Sequence, residues 1–455
     1  MSLPASEPRP AESGLSTESG AHAPQPTRAG TSRRGLVGAG AGLAAGLVAG
    51  AGATYAATRP SSDGSETPKA AASSGDANAP QGQVPFRGTH QAGIITAAQD
   101  HLHFAALDVT TDDPQALRDL LTVWTRAAER MTYGAEATPG GTVGGGPYKV
   151  PTDTGEALDL PPANLTITIG YGPSLFKRFG LAGRKPDALR PLPGFRFDDL
   201  NPATCDGDIA IQACADDPQV AVHAVRNLVR LGFGVVAVRW SQLGFGRTSA
   251  TTTTQSTPRN LFGFKDGTNN LKAENTADLD EHVWVPATDA DAAGSWVAGG
   301  TYLVTRRIRM HIEVWDRSHL QDQQDTIGRG KLAGEPLGQK AEFDRIDFSA
   351  KGIDGQPAIP MRSHIRLAHA DNLGGIRILR RGYNFTDGTD GQGHLNAGLF
   401  FIAFMRDPQT HFVPMQRELS KSDLLNEYIE HTGSAVFVCP PGLADGQDWG
   451  AQLFG

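Results

Sequence analysis

Cysteine is scarce in this chain, whose 455 residues include only Cys205, Cys214 and Cys439. Three cysteines are too few for a disulfide framework or for the four thiolates of an iron–sulfur cluster. If residues 208–213 form a strand, they span roughly 20 Å, whereas a disulfide needs Cα atoms within about 7 Å. We therefore do not expect a bridge between Cys205 and Cys214.

Clustered positive charge is also lacking. Lys and Arg number 41 against 49 Asp and Glu, which gives a formal net charge of −8 at pH 7. Phosphate backbones are bound by concentrated Lys and Arg, so nucleic acid is excluded as the main partner. A small-molecule partner is expected instead.

Large apolar residues are rare in the first 85 residues. Residues 1–30 and 60–83 are rich in Ser, Pro and Ala, so they are predicted to be disordered. Between them, Ser32-Arg33-Arg34 precedes an uncharged run of mostly Gly, Ala, Leu and Val at residues 35–57. The many glycines disfavour a transmembrane helix, whereas paired arginines before a weakly hydrophobic run are typical of a twin-arginine export signal. An uncleaved membrane anchor is the alternative.

Such a signal predicts an extracellular, periplasmic or cell-surface protein with no stable membrane span after cleavage. The twin-arginine export machinery would then be a partner. Because that route carries folded cargo, a cofactor inserted before export is also expected.

The rest of the chain predicts the order β-α-β-β-α-β twice. In the first half, the strands are expected at residues 101–109, 164–170, 208–213 and 233–240, and the helices at 113–131 and 218–231. In the second half, the strands are expected at 301–315, 377–385, 398–406 and 435–439, and the helices at 319–329 and 411–419. This order predicts an α+β fold of two ferredoxin-like halves with antiparallel sheets. The domains would be a signal region (1–57), a disordered linker (58–85), an N-terminal domain with its linker (86–290) and a C-terminal domain (291–455).

The most distinctive stretch is NLFGFKDGTNN at residues 260–270. It places Asp266 between Gly263 and Gly267, where a flexible turn can direct a carboxylate into a cavity. An ordinary Asp-Gly turn is the alternative. Two further segments follow, SHIRLAHADN from residue 363 and ILRRGYNF from residue 378.

These three segments, in this order, resemble those of the dye-decolorizing (DyP-type) haem peroxidases. The similarity is greatest to the twin-arginine-exported subgroup that includes deferrochelatase-like proteins, and it covers residues 84–454. The resemblance implies a haem b (iron protoporphyrin IX) between the two halves, with His364 as the axial iron ligand. It also implies that Asp266 is the distal acid, that Arg380 is the distal arginine, and that Gly267 and Thr268 lie against the haem.

Other haem contacts are assigned by looser alignment. Glu427, in a segment expected to be helical at residues 423–431, is expected to accept the second N–H of the axial imidazole, with Glu430 as second choice. Arg259, Arg309 and His311 are candidate partners of the haem propionates, although solvated strand charges would look the same. The C-terminal domain would bind most of the haem.

His369 is the alternative iron ligand. His364 is preferred because it has the preceding serine and following apolar residue of the family position. Trp240, Trp296 and Trp315 are possible electron relays to the surface, with Tyr383 as a fourth, although aromatic residues of this kind are more often packing residues.

The expected activity is reduction of hydrogen peroxide through a ferryl porphyrin radical, which then oxidises dyes or other small-molecule or protein donors. Asp266 would shuttle the proton and Arg380 would stabilise O–O cleavage. An aspartate base predicts an acidic optimum. A deferrochelatase, which releases iron and leaves the porphyrin intact, is the alternative, and a haem carrier without turnover is a third hypothesis.

Overall fold

The computed structural model describes residues 82–455 apart from residues 292 and 354. The predicted signal region and nearly all of the predicted linker lie outside these residues. Within the part that is described, no helix is both long and apolar enough to cross a membrane.

The described residues form nine strands and eight α-helices. The strands are β1 (His101–Val109), β2 (Thr166–Tyr171), β3 (Ile209–Ala215), β4 (Val236–Arg247), β5 (Thr301–Met310), β6 (Leu379–Arg380), β7 (Tyr383–Thr389), β8 (Leu395–Met405) and β9 (Ile429–Cys439). The helices are α1 (Pro114–Thr132), α2 (Pro218–Leu231), α3 (Thr276–His282), α4 (Ile312–Trp315), α5 (Leu320–Ile327), α6 (His364–Leu367), α7 (Phe412–Ser422) and α8 (Trp449–Phe454).

Local chemistry explains where the two long N-terminal helices begin. Asp113 and Asp217 each cap a helix whose first residue is proline, the residue that the first turn tolerates best. The Asp113 carboxylate accepts from Gln115 N at 2.9 Å, and the Asp217 carboxylate accepts from Gln219 N at 2.7 Å. Both helices match their predicted ranges closely.

All strand pairs are antiparallel, which confirms the predicted α+β class with antiparallel strands. The sheet order is β5-β9-β2-β3-β1-β4-β7-β8-β6, and β5 also pairs with β8. This additional pairing closes the sheet into a barrel-like form. The chain's two halves meet where Tyr171 pairs with Val438 and where Phe245 pairs with Asn384.

Two large apolar clusters lie on opposite faces of this sheet. One contains inward-facing side chains from α1 and α2, such as Trp124 and Leu228, packed on strand residues such as Ile211. The other fills the barrel interior and includes Phe104 and Phe437. Because both faces are covered, β2 and β3 are buried along their whole length.

Three predicted elements differ from the structure. The strand expected to reach Trp315 ends at Met310, because Trp315 turns into a buried cluster with Phe262 at 4.3 Å between ring centroids. The strand expected at 377–385 is interrupted after Arg380, so β6 and β7 are separate. The helical segment expected at 423–431 is a single 3₁₀ turn, Leu424–Glu427, followed directly by β9.

The remaining predicted strands and helices are present with shifted ends. Residues 330–360 contain no helix or strand among those described. All three cysteines are free and buried, in agreement with the expectation that Cys205 and Cys214 are not bridged. The boundary expected at residue 290 between two domains stays a prediction.

Candidate functional site

A large cavity lies on the outer face of β5 and β8, between the 260–270 loop, α6 and α7. Its walls are mostly apolar. They include the following side chains: Ile308, Ile327, Ile365, Ile378, Leu399, Phe401, Phe412 and Leu419. Among the polar groups that face it are two pairs, Asp266 with Arg380 and His364 with Asp423.

The 260–270 loop is held in place by its aromatic residues. Phe262 and Phe264 are almost fully buried against Trp315, whose indole Nε1 donates to Phe262 O at 3.1 Å. Gly267 has a φ of 88°, and a Cβ there would lie 2.9 Å from Ser249 Cα. Only glycine fits this position without strain. The loop therefore directs the neighbouring Asp266 into the cavity.

Asp266 and Arg380 form an ion pair, although 114 residues separate them. Arg380 Nη1 donates to Asp266 Oδ1 at 2.7 Å, and Asn260 Nδ2 donates to Asp266 Oδ2 at 3.1 Å. Asn270 fixes the backbone of Arg380 by exchanging two hydrogen bonds with its N and O, of 2.8 and 2.9 Å. The structure thus brings together the two residues predicted to be the distal pair, and one loop orients both of them.

His364 is held by a buried carboxylate. Its Nδ1–H donates to Asp423 Oδ2 at 2.7 Å, and the Asp423 side chain is 3% exposed. This leaves Nε2 as the ring nitrogen available for a ligand in the cavity. Burial lowers the pKa of His364, but the adjacent Asp423 charge outweighs it and raises the pKa above its usual value.

Asp266 and Arg380 also act on His364. The Asp266 charge raises the pKa of His364 and the Arg380 charge lowers it. The two pairs are therefore within electrostatic reach of each other across the cavity. The 32% exposure of the His364 side chain is consistent with its place in the lining of this cavity.

The prediction that Glu427 supports the histidine is wrong. Glu427 is exposed at the end of the 3₁₀ turn, whereas Asp423 caps the start of that turn by accepting from Leu425 N at 2.9 Å. The second choice, Glu430, lies on β9 with its carboxylate 3.9 Å from Arg309. The signal for Asp423 was its position before an apolar pair, which is typical of a capping aspartate.

His369 lines the same cavity without a comparable support. Its Nδ1 accepts a hydrogen bond from Asp371 N at 3.2 Å, and burial lowers its pKa. The exposed Asp371 carboxylate lies 3.6 Å from the same nitrogen and raises the pKa of His369, but burial outweighs it, and no buried carboxylate holds this ring as Asp423 holds that of His364. The geometry favours His364 over His369 as a ligand.

The three predicted propionate partners do not line the cavity. Arg259 donates to the carbonyls of Gly263, Lys331 and Leu332, at 2.6–2.7 Å, and so holds two loop segments together. Arg309 is 2.5 Å from Asp390. His311 precedes α4 and is not among the residues of the cavity wall.

Three other arginines line the cavity instead: Arg306, Arg329 and Arg377. Arg306 is buried, pairs with Asp198 and donates to Ser434 Oγ at 3.0 Å. Side chains alternate between the two faces of a strand, so Arg306 on β5 faces the cavity while Arg307 does not. Arg309, the predicted propionate partner on this strand, lies on the same face as Arg307.

These residues fit a haem. The cavity has an imidazole whose second nitrogen is held by a carboxylate, an apolar wall suited to a porphyrin, and arginines suited to carboxylates. Among the described residues, no group of three or more His, Cys, Asp or Glu side chains is placed to hold a metal ion.

Comparisons with known proteins agree with this site. The Dyp-type peroxidase family matches the chain with its N-terminal part at residues 91–246 and its C-terminal part at residues 257–444. A dye-decolorizing peroxidase of Thermobifida fusca is 38% identical, over 92% of this chain and 96% of that protein. A deferrochelatase of Escherichia coli is 36% identical, over 80% and 85%.

Solved structures give the same result. A DyP-type peroxidase from Cellulomonas bogoriensis is 38% identical, with a TM-score of 0.73 over 82% of this chain and 98% of that one. An oxyferrous/water mixed complex of DtpA from Streptomyces lividans is 36% identical, with a TM-score of 0.75 over the same shares.

Proposed function

This chain belongs to the Dyp-type peroxidase family of haem-dependent peroxidases, and from this premise we propose that its cavity reduces hydrogen peroxide with Asp266 and Arg380 as the catalytic residues. The supporting observation is the ion pair between these two side chains, which faces the same cavity as the His364–Asp423 pair. A protein that only carried haem would need neither residue of the ion pair.

The cofactor in this proposal is haem b. His364 Nε2 would be the iron ligand, Gly267 and Thr268 would contact the haem from the loop, and the arginines of the cavity wall would face the propionates. When bound, haem supplies an iron that binds peroxide and relays electrons from the reductant. Asp423 holds the imidazole in one orientation and tautomer.

Proton movement is the task of Asp266. Peroxide must lose a proton to bind and the departing oxygen must gain one, so a single carboxylate that accepts and returns a proton assists both steps. Asn260 and Arg380 hold one oxygen each, which fixes the carboxylate towards the cavity. Arg380 keeps a permanent positive charge where negative charge develops during O–O cleavage.

The two-halved architecture supports the same assignment. In the first half the strand neighbours are β4-β1-β3-β2, and in the second half they are β9-β5-β8-β7. If β6 and β7 are counted together as the second strand of their half, each series pairs the fourth strand with the first, the first with the third and the third with the second. We propose that these are two ferredoxin-like units joined into one closed sheet, with the haem bound mainly by the second.

Export is a further part of the proposal. The paired arginines at residues 33 and 34 and the glycine-rich run after them support recognition by twin-arginine machinery. The protein would then act outside the cytoplasm. Replacing both arginines by lysine should keep the protein in the cytoplasm, and unchanged export of that variant would contradict the signal assignment.

Deferrochelation is a second candidate, because several relatives at 36–37% identity carry that name. One experiment separates it from peroxidase activity. Purified protein is incubated with haem, and dye loss after addition of peroxide and porphyrin fluorescence are followed together. Peroxidase activity predicts dye loss that needs peroxide, whereas deferrochelation predicts metal-free porphyrin. If neither dye loss nor metal-free porphyrin is observed, the hypothesis of a haem carrier without turnover is supported.

The ligand assignment has its own test. His364→Ala should abolish haem retention or shift the Soret band strongly, and His369→Ala should retain haem. The reverse result would transfer the ligand role to His369.

A further inference from the structure

A segment of residues 330–346, here called the covering segment, lies against the 260–270 loop. It contains no helix or strand, so side-chain bonds determine where it lies. Arg259 holds its first part by donating to two of its backbone carbonyls, at 2.7 and 2.6 Å. Its last residue, Ile346, is part of the cavity wall. The covering segment therefore extends from the start of the 260–270 loop to the cavity.

Glu342 bonds the covering segment to the loop on both sides of Asp266. Lys265 Nζ donates to Glu342 Oε2, and Thr268 Oγ1 donates to Glu342 Oε1 at 3.1 Å. The Glu342 side chain is only 10% exposed, so these bonds are little screened by salt and water. One carboxylate therefore holds the residue before Asp266 and the second residue after it.

Arg329 bonds to the same part of the covering segment. It is a buried residue of the cavity wall, and its Nη1 donates to Glu342 O at 3.0 Å and to Gly334 O at 2.6 Å. Gly334 packs directly on Lys265, because a Cβ there would lie 2.7 Å from Lys265 Cδ. Lys265, Thr268 and Arg329 all belong to the cavity wall and all bond to Glu342. This part of the wall therefore depends on a residue that lies behind it.

Glu342 carries a negative charge at neutral pH. Burial alone would raise its pKa, but the bonds from Lys265 and from two threonine hydroxyls outweigh burial and lower the pKa below its usual value. Hydrogen bonds to an ionised group are about twice as strong as neutral ones. Burial lowers the pKa of Arg329, the Glu342 charge raises it and the Arg380 charge lowers it, so Glu342 and Arg380 lie in one electrostatic neighbourhood.

We propose that Glu342 determines which peroxide reaches Asp266, because it holds the cavity wall in a form that admits hydrogen peroxide and excludes bulky alkyl hydroperoxides. Hydrogen peroxide consists of two oxygens and their protons, whereas cumene hydroperoxide also carries a phenyl ring. The larger molecule requires Lys265, Thr268 or Ile346 to move away from the cavity. This inference deepens the proposed peroxide reduction and rests on it.

Both peroxides would undergo the same reaction. Two electrons from the reductant and two protons break the O–O bond, which gives two waters from hydrogen peroxide, or one water and one alcohol from the alkyl hydroperoxide. Asp266 and Arg380 would act on either peroxide. Because Glu342 acts on access, its loss should change the choice of peroxide more than the rate with hydrogen peroxide.

A matched pair of variants tests the role of Glu342. Glu342→Gln keeps the size of the side chain and removes its charge, whereas the control Glu335→Gln removes a carboxylate that lies against Gly330 within the same segment. The measured quantity is kcat/KM for cumene hydroperoxide divided by kcat/KM for hydrogen peroxide, with haem-loaded protein and one dye as reductant. In Glu342→Gln this ratio should rise about 10- to 100-fold, the factor that a hydrogen bond to a charged group contributes. In Glu335→Gln it should equal the wild-type ratio.

Ligand binding tests the same point without turnover. Cyanide and 4-phenylimidazole both bind ferric haem, and absorbance titration of the haem-loaded protein measures each affinity. The bulky ligand binds only to molecules whose wall is displaced, so its apparent affinity follows the fraction of molecules in that state. In Glu342→Gln, 4-phenylimidazole should bind about 10- to 100-fold more tightly, while cyanide affinity should change by less than about twofold. A variant that is only poorly folded would bind both ligands more weakly.

Lys265→Gln removes the other partner of the ion pair. It should raise the same peroxide ratio, and adding Glu342→Gln to it should raise the ratio little further, because both changes break one bond. Effects that multiply in the double variant would contradict a shared bond. If Glu342→Gln does not fold, Lys265→Gln alone tests the proposal by the peroxide ratio and by 4-phenylimidazole affinity.

The outcomes separate this inference from the proposed function. If the wild-type protein reduces hydrogen peroxide but Glu342→Gln leaves the peroxide ratio and 4-phenylimidazole affinity unchanged, the role of Glu342 is refuted and peroxidase function stands. An equal rise in Glu335→Gln also refutes it, because loss of any carboxylate of the segment would then suffice. If the wild-type protein consumes neither peroxide while Glu342→Gln binds 4-phenylimidazole more tightly, the proposed function fails and control of access by Glu342 stands.

Discussion

Replacing Asp423 by asparagine tests how the chain supports its iron ligand. The Asp423 carboxylate lies 2.7 Å from His364 Nδ1 and is almost fully buried. Asparagine keeps the size of the side chain and an oxygen that can still accept from Leu425 N. The substitution therefore removes the negative charge beside the imidazole and leaves the local turn intact.

The expected loss of haem affinity follows from the type of hydrogen bond that Asp423 makes with His364. A hydrogen bond to a charged group contributes about 1.5–3 kcal/mol, because the charge strengthens the contact and burial shields it from water. Changing the partner of a metal-binding histidine costs about 10- to 100-fold in affinity, which is the same range. We expect haem affinity of Asp423→Asn to fall by that factor. Titration of haem into the haem-free protein, followed by absorbance, measures it.

The control is Glu427→Gln, which makes the same chemical change at the exposed position four residues further on. It should leave haem affinity unchanged. Equal losses in both variants, or no loss in Asp423→Asn, would refute the assignment of Asp423 as the support. Urea unfolding of the two haem-free variants shows whether a loss of affinity is only a loss of folded protein.

Other expected results concern the Asp266–Arg380 pair and the buried His431. Asp266→Ala should slow peroxide-dependent dye oxidation by about 10²–10⁴ and Arg380→Leu by about 10²–10³, and stopped-flow kinetics that show neither loss would contradict the proposed roles. Dye oxidation should be fastest in acid, and an optimum above pH 8 would count against an aspartate base. Burial lowers the pKa of His431 to about 3, from 6.5. Below pH 6.5 His431 is protonated in the unfolded chain, whereas in the folded chain it stays neutral down to about pH 3. The folded state therefore loses stability as the pH falls from 6.5 to about 3. At about pH 5 the loss is about 2 kcal/mol, and denaturation of haem-free His431→Gln should show a correspondingly weaker acid destabilisation; the same slope in both proteins would refute this account.

The three predicted site residues that the structure brings to one cavity share one property. Asp266, Arg380 and His364 each lie in a short distinctive segment, and the neighbours of Asp266 fix the local conformation, as do Gly267 with its positive φ and the buried Phe264. The chemistry and the local conformation are encoded together in such segments, so a reader of the sequence can recognise both. The helices that begin with Asp-Pro were predictable for the same reason.

The residues that were missed depend on long-range geometry. Asp423 meets His364 only because the turn before β9 packs beside α6, 59 residues away in sequence. Arg306 was missed because the charges on β5 alternate in sequence with neighbours that are also charged, so the pattern does not show which face is the cavity face. Glu427 has the right chemistry, but its side chain lies outside the packed region.

The strand β5 shows why one residue of register matters to this protein. Its pairing with β9 shifts between Arg307 and Ile308, where Thr432 has no direct partner. Without that irregularity, Thr432 would occupy a paired position, and every later side chain of β9 would change face. In the structure, Thr432 Oγ1 accepts a hydrogen bond from Arg307 on the barrel-interior side of the sheet. His431, the preceding residue, lines the cavity on the outer side. Successive residues of β9 thus supply polar groups to both sides of the wall, and the bulge sets which residue of β5 each of them meets.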